Sequence, residues 1–199
     1  IEEKMSQDKT SGFLATLRML GDPAVLVLFL GIVAHVGIDV GVNTCAPKIL
    51  MERLSLPVEE AGIATSIYFL CRTLGCLSGS YILSRFPVWK FFAVSVGLMV
   101  LSMVGFFVLD SLAGLYAAVA LVGFGNSNIF PMVFSKALFY KPEWGNEMSG
   151  LMIMGLIGGT VFPLLMGILS DAWGSQTGSV VVVSVGVAYL GWRFRRGER

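Results

Sequence analysis

Six long runs of apolar residues fill most of this 199-residue chain, and the connections between them carry nearly all of its charge. The runs are 24–46, 61–83, 88–109, 112–135, 149–169 and 178–192. Each run except the last approaches the ~20 residues that an α-helix needs to cross a bilayer. Lipid offers no water to backbone groups, and the runs lack the alternation of barrel strands, so we expect helices. The sequence predicts an all-α, polytopic membrane protein built as a bundle of six transmembrane helices.

Composition and motifs exclude several classes of protein. Only 14% of the residues are charged, against about 25% in a soluble domain, and there is no basic tract that would suit nucleic acid. The chain has one histidine and neither of the motifs HExxH and GxSxG, so we do not expect an enzyme. Its three cysteines lie inside the runs without metal-ligand spacing and are expected to be free thiols. We therefore expect no metal and no cofactor.

Lysine and arginine are distributed unequally between the two sides of the predicted bundle. With both termini in the cytoplasm, eleven of them fall on that side and two, Lys48 and Arg53, on the other. Cytoplasmic loops carry the excess of positive charge in membrane proteins. The pattern predicts cytoplasmic termini and an even number of spans.

The ends of the chain differ in composition from the bundle. We predict a cytoplasmic linker over 1–22, with a short amphipathic helix at 12–20, then the bundle over 23–193 and a cytoplasmic basic tail over 194–199. The mixed-charge opening is typical of a linker that leads into a membrane helix. We therefore expect half of a longer transporter, and a six-helix protein that works as a dimer is the alternative.

Ionisable residues interrupt the first two runs at membrane depth. His35, Asp39 and Asn43 are four residues apart and form one polar stripe on a helix. Arg72 lies near the middle of the second run, and an unpaired arginine there costs at least ~2.5–3.5 kcal/mol. Pairing with Asp39 would offset that cost. The pair could handle a substrate or a proton, or it could only lock two helices together.

The fourth run contains a polar segment, GFGNSNIFP, at residues 123–131. Pro131 removes a backbone donor, so we expect local unwinding there. Such backbone is tolerated in a membrane where it is buried in protein or lines a wet cavity. The amides of Asn126 and Asn128 suit a hydroxyl-rich ligand, although asparagines can also serve only to join helices.

Glycines and aromatic residues give weaker signals. Three Gly-x-x-x-Gly pairs, at 37/41, 75/79 and 155/159, predict tight helix crossings. Aromatic side chains in the second and fourth runs could stack against a sugar ring; these are Tyr68, Phe69, Phe130 and Phe134.

Four segments occur in an order that resembles a known family: VGIDVGVN (36–43), YFLCRTLGCLSGSYILSRF (68–86), GFGNSNIFPMVFS (123–135) and SGLMIMGLIGGTVFPLLMGILSDAWG (149–174). Together they resemble the C-terminal half of the fucose–galactose–glucose:proton symporter group of the major facilitator superfamily. The resemblance implies that the six runs are helices seven to twelve of a bacterial inner-membrane transporter. It also implies a partner half of six helices and a central cavity, which the first, second, fourth and fifth helices face.

The resemblance therefore implies proton-coupled transport of a sugar-like solute through alternating access. We expect hydrogen bonds to the solute from five side chains, with His35 at the edge of the cavity; the five are Asp39, Asn43, Arg72, Asn126 and Asn128. A neighbouring cation favours an ionised carboxylate, so Asp39 is expected to bind or to brace rather than to carry the proton. An organic anion or acidic sugar is the alternative substrate, because of Arg72, and a non-transporting sensor is the alternative function.

Overall fold

The computed structural model describes residues 13–196, and the secondary structure in that range is helical throughout. The ten α-helices are α1 Phe13–Arg18, α2 Pro23–Leu54, α3 Val58–Ala61, α4 Ile63–Arg85, α5 Val88–Val108, α6 Leu112–Asn126, α7 Ile129–Tyr140, α8 Gly145–Met154, α9 Gly158–Trp173 and α10 Thr177–Arg196. The short helix α1 lies within the predicted amphipathic segment. The remainder of the predicted linker, 1–12, and of the basic tail, 197–199, lies outside the described residues.

Five helical stretches are long and apolar enough to cross a membrane, and a sixth, Thr177–Trp192, is apolar but shorter. The stretches are Pro23–Leu54, Val58–Arg85, Val88–Val108, Leu112–Tyr140 and Pro142–Trp173. They match the six predicted runs in order. The all-α architecture predicted from the sequence is confirmed.

Helix α2 is longer than the first apolar run, which was predicted to end at 46 and to be followed by a loop over 47–60. The Asp22 side chain caps its start by accepting from the Ala24 amide. The helix then continues past Pro47 to Leu54 and stops where Ser55 adopts a left-handed backbone, with φ of 51°. Ile49 and Leu50 are both 1% exposed. Their burial against neighbouring helices stabilises the last two turns despite the proline, so the predicted loop boundary was wrong.

The fourth stretch is broken into α6 and α7 where the sequence predicted unwinding. Residues Ser127 and Asn128 form the turn between the two helices. Pro131 has no amide hydrogen for the carbonyl four residues earlier, which belongs to Ser127. The Cys76 thiol of α4 lies 3.3 Å from that carbonyl oxygen and donates to it instead. The expected unwinding is confirmed, and a neighbouring helix satisfies the freed acceptor.

Helix α2 is the centre of the bundle and packs against α4, α6, α7, α9 and α10, while α5 packs between α6 and α10. The stretches that contain α4 and α9 bury the smallest share of their residues. Large apolar side chains are exposed along one side of each; on α4 they are Leu70, Leu74 and Leu77, and on α9 Val161, Leu164 and Ile168.

The predicted glycine crossings are confirmed. A Cβ atom on Gly75 or Gly79 would collide with the Ser127 or the Asn128 side chain of the fourth stretch. Gly37 and Gly155 likewise face Phe162 and a side chain of α2 too closely for a methyl group. Small residues therefore let side chains of the neighbouring helix pack directly against the glycine backbone.

Charged side chains tie helix ends together on each side of the bundle. On the side predicted to be cytoplasmic, Lys141 Nζ lies 2.8 Å from the Asp22 carboxylate, which also accepts from the Tyr140 hydroxyl at 3.2 Å. On the opposite side, the Glu52 carboxylate accepts from the Ser175 hydroxyl and the Gln176 amide, both at 2.7 Å. These contacts fix the ends of α2 against the ends of α7 and α10.

The hydrogen bond from Lys141 is the main reason why the pKa of Asp22 is lowered from its ordinary value of 3.8. A lowered pKa means that Asp22 stabilises the fold above pH 3.8, and that this contribution disappears as the pH falls through the folded-state value. We expect Asp22→Asn to lower the thermal midpoint at neutral pH and to leave it nearer to the wild-type midpoint in acid. Thermal unfolding in detergent at both pH values measures this. The control is Asp171→Asn, and equal midpoint losses at both pH values would contradict the assignment.

Candidate functional site

An ion pair joins α2 and α4 near the middle of both helices. The Arg72 guanidinium donates from Nη1 to both oxygens of Asp39, over 2.6 Å to Oδ1 and 2.5 Å to Oδ2. The side chains of Asp39 and Arg72 are 19% and 27% exposed. The predicted pairing is therefore confirmed, and the pair lies at the border between the packed interior and the surface of the bundle.

Three more side chains continue from this pair into the interior. The fully buried Tyr68, one turn before Arg72, donates its hydroxyl hydrogen to Asp39 Oδ1. Asn126 Nδ2 of α6 lies 3.2 Å from the Tyr68 oxygen, and His35 Nδ1 lies 2.9 Å from Asn126 Oδ1. We call the five residues the polar chain. It connects three helices and runs from a half-buried guanidinium to a buried imidazole.

The inner members of the polar chain are deeper than the sequence suggested. His35 was expected at the edge of a cavity, but its side chain is 2% exposed and packs against the Phe130 ring at 5.8 Å. Asn126 is completely buried. The Tyr68 ring, a candidate for stacking on a sugar, is also completely buried, which leaves no face for a ligand. The packing of α2, α4 and α6 against one another buries these groups.

Asn43 lies one turn beyond Asp39, and its side-chain oxygen has no hydrogen-bond partner among the described residues. Its Nδ2 donates to the Asp39 carbonyl over 2.8 Å. Its Oδ1 is buried and has no donor among the described residues. A buried acceptor without a partner costs about 1–3 kcal/mol. Because the atom is buried, a ligand at the ion pair would reach it only when the bundle opens around Asn43.

Asn128 is part of a helix crossing rather than of the polar chain. It is 6% exposed, and its Nδ2 donates to the Gly75 carbonyl and to the Ser127 hydroxyl, both at 2.8 Å. These bonds join α4 to the turn between α6 and α7. Its predicted role in binding a substrate stays a prediction.

Comparison with known proteins identifies the family of this chain. The sequence pattern described as "Major Facilitator Superfamily" matches residues 10–199. The chain belongs to the Major Facilitator Superfamily. The members of this superfamily are transporters and not enzymes, which agrees with the functions predicted and excluded from the sequence.

Solved structures of the superfamily have the same fold. The chain is similar to the FucP transporter in its outward conformation, with a TM-score of 0.84 and 20% identity over 98% of this chain and 47% of FucP. It is also similar to a single-residue variant of the E. coli fucose:proton symporter FucP, with a TM-score of 0.80 and 20% identity over 98% of this chain and 48% of that one. The bundle thus corresponds to one half of the superfamily fold, as the sequence indicated.

Curated relatives are also distant in sequence. A putative glucose/galactose transporter of Helicobacter pylori strain 26695 is 24% identical over 161 residues, which are 81% of this chain and 39% of that protein. A glucose/galactose transporter of Brucella abortus strain 2308 is 37% identical over 57 residues, 29% of this chain and 14% of that one. The chain spans less than half the length of the relatives and structures that it matches.

Within this superfamily bundle, one face of α4 positions the site. Tyr68 and Arg72 are four residues apart, and Gly75 and Gly79 follow at helical spacing, so all four point toward α2 and the fourth stretch. The glycines bring the helices together, and the two polar side chains then meet Asp39. The sequence indicated Tyr68 only as an aromatic residue that could stack against a sugar ring, and its hydrogen bond to Asp39 was not expected. Its spacing from Arg72 is a signal that could have indicated it.

Proposed function

We propose that this chain is half of a secondary active transporter, a multi-pass protein of the bacterial inner membrane with cytoplasmic termini. It carries a sugar or a similar polyhydroxy solute, coupled to protons, by alternating access against a partner half of six helices. The observation that carries the proposal is the partly exposed Asp39–Arg72 pair with the unpartnered Asn43 oxygen beside it. Charged groups at membrane depth mark solute paths.

The chemistry of these three side chains suits hydroxyl groups. A carboxylate accepts hydrogen bonds, a guanidinium donates them, and the Asn43 oxygen accepts one more. Both bonds from Arg72 to Asp39 leave from Nη1, so the guanidinium has further N–H donors that a solute could use. Two similar proteins carry the words glucose/galactose transporter in their names, and one is a fucose:proton symporter. This similarity supports a sugar over other polar solutes.

We assign direct solute contacts to Asp39 and Arg72 and, in a facing state that opens its buried oxygen, to Asn43. In this proposal His35 and Asn126 act from behind the pair, since both are buried. Because both Asp39 oxygens accept from Arg72, we assign the transported proton to another group. Asn128 is a further candidate for a solute contact when the bundle changes its facing state.

Uptake of radiolabelled hexose by proteoliposomes that contain the full transporter tests the proposal. We expect uptake that falls when a protonophore collapses the proton gradient. Arg72 also suits an acidic sugar or another organic anion, so competition by glucuronate, with no competition by glucose, would favour that alternative. A sensor would be stabilised against heat by the sugar without taking it up.

A substitution at Asn43 separates binding from folding. We expect Asn43→Leu to raise KM for the sugar about three- to tenfold, which corresponds to one lost hydrogen bond of about 0.5–1.5 kcal/mol. The thermal midpoint should stay unchanged or rise, because the variant removes a buried acceptor that has no partner in the bundle. The matched control is Thr44→Val, since the Thr44 hydroxyl donates to the Val40 carbonyl of its own helix. An unchanged KM in Asn43→Leu would remove Asn43 from the site.

A further inference from the structure

The hydrogen bonds of the polar chain have a fixed direction, which starts at Asp39. An ionised carboxylate only accepts, and both oxygens of Asp39 accept from Arg72 Nη1. The Tyr68 hydroxyl has a single hydrogen, which it must therefore give to Asp39. The Tyr68 oxygen is then left as an acceptor for the next residue.

The Tyr68 oxygen, as an acceptor, determines the orientation of the Asn126 amide. Only Nδ2 of Asn126 can donate to the Tyr68 oxygen, 3.2 Å away. A second contact favours the same orientation, because Nδ2 lies 3.5 Å from the backbone carbonyl oxygen of His35. A reversed amide would place two acceptor oxygens against each other. Asn126 Oδ1 therefore faces His35.

An amide oxygen accepts and never donates, so the nitrogen of His35 that faces it must carry a hydrogen. That nitrogen is Nδ1, at 2.9 Å from Asn126 Oδ1. In a neutral imidazole with its hydrogen on Nδ1, Nε2 keeps a lone pair and is an acceptor. The ring is packed against Phe130, and the charged or titratable members of the polar chain around it are Asp39, Arg72 and Tyr68.

We propose that Tyr68 and Asn126 are positioning residues that transmit the charge of Asp39 to His35, so that an ionised Asp39 holds the His35 hydrogen on Nδ1. A solute that draws the Asp39 carboxylate away from Tyr68 thus alters the hydrogen-bonding character of a buried imidazole on α2. This inference deepens the proposed function, since the ion pair is the proposed solute site. It concerns a tautomer, however, and can be measured without transport.

The test is nuclear magnetic resonance of the full transporter with 15N-labelled histidine. His35 is the one histidine in these 199 residues, and the His35→Gln difference spectrum assigns its signals in the full chain. Couplings between the ring nitrogens and the ring carbon-bound hydrogens identify which nitrogen is protonated. We expect the Nδ1–H form in the wild type at neutral pH.

Two variants cut the polar chain at different places. In Tyr68→Phe, Asp39 no longer determines the Asn126 amide, which keeps only the longer contact of 3.5 Å to the His35 carbonyl oxygen. In the double variant Asp39→Leu/Arg72→Leu the charge itself is gone while no single charge is left unpaired. In each variant one donor loses its acceptor: Asn126 Nδ2 in Tyr68→Phe, and the Tyr68 hydroxyl in the double variant. We therefore expect Nε2–H, the form that imidazoles favour in water, to become the major tautomer. The matched control is Tyr189→Phe, which removes a hydroxyl that donates to the Val27 carbonyl of α2 over 3.0 Å and should leave Nδ1–H in place.

Each outcome decides the inference. An Nε2–H form in the wild type overturns it, and so does an unchanged Nδ1–H form in either Tyr68→Phe or the double variant, with folding checked by the thermal midpoint. If the tautomer shifts as expected but proteoliposomes take up no sugar, the proposed function fails and the link between Asp39 and His35 stands.

Discussion

Replacement of Arg72 by leucine is expected to abolish transport and to lower the free energy of unfolding by about 2–3 kcal/mol. The variant leaves the Asp39 carboxylate at membrane depth without its counter-ion. The loss of one partner of a fully buried pair costs about 3–5 kcal/mol. The remaining exposure of Asp39, 19% of its side chain, allows some solvation and reduces the expected cost.

Two further variants distinguish a solute site from a structural lock. In Asp39→Leu/Arg72→Leu no charge remains unpaired, so we expect the thermal midpoint to recover most of the loss while uptake stays abolished. Arg53→Leu breaks a surface pair with Asp110, whose side chain is 78% exposed, and should cost about 0–1 kcal/mol. Recovery of uptake in the double variant would show that the pair only holds α2 against α4, the alternative that the sequence left open.

The sequence predicted the spans and the ion pair because strong, local costs determine both. An apolar run has few alternatives to a membrane helix, and an arginine at the depth of Arg72 requires a partner on an adjacent helix. The break before Pro131 follows from the missing amide hydrogen in the same way. These features depend on composition and depth, which can be read along one chain.

The features that sequence reasoning missed depend on how helices are rotated against each other. Tyr68 and Phe130 are both aromatic residues in apolar runs, and the sequence does not distinguish their roles. In the structure the Tyr68 hydroxyl donates to Asp39, whereas the Phe130 ring packs against His35. Helix α2 passes Pro47 because Ile49 and Leu50 are buried, and that burial depends on its neighbours. Side-chain direction relative to other helices is a tertiary property.

The crossing of α2 and α9 gives the second large expected effect, from Gly158→Ala. A Cβ atom at Gly158 would fall onto the backbone carbonyl oxygen of Val33, which has no rotamer with which to move aside. The helices would have to separate, and we expect a loss of about 3 kcal/mol in the free energy of unfolding, the upper end for an overpacked contact. Thermal unfolding in detergent, together with uptake by proteoliposomes, measures the effect on the fold and on transport.

Gly167→Ala in the same helix is the matched control. No atom lies within 4 Å of a Cβ built at Gly167, and alanine is favoured over glycine in a helix by up to about 1 kcal/mol, so this variant should be neutral or slightly stabilised. Equal midpoints for the two variants would show that α2 and α9 can separate freely at Gly158. A normal midpoint with lost uptake in Gly158→Ala alone would instead mean that the contact tightens only in another facing state of the bundle. The two readouts together therefore test whether this crossing is a fixed support for Asp39 or a surface along which the helices slide.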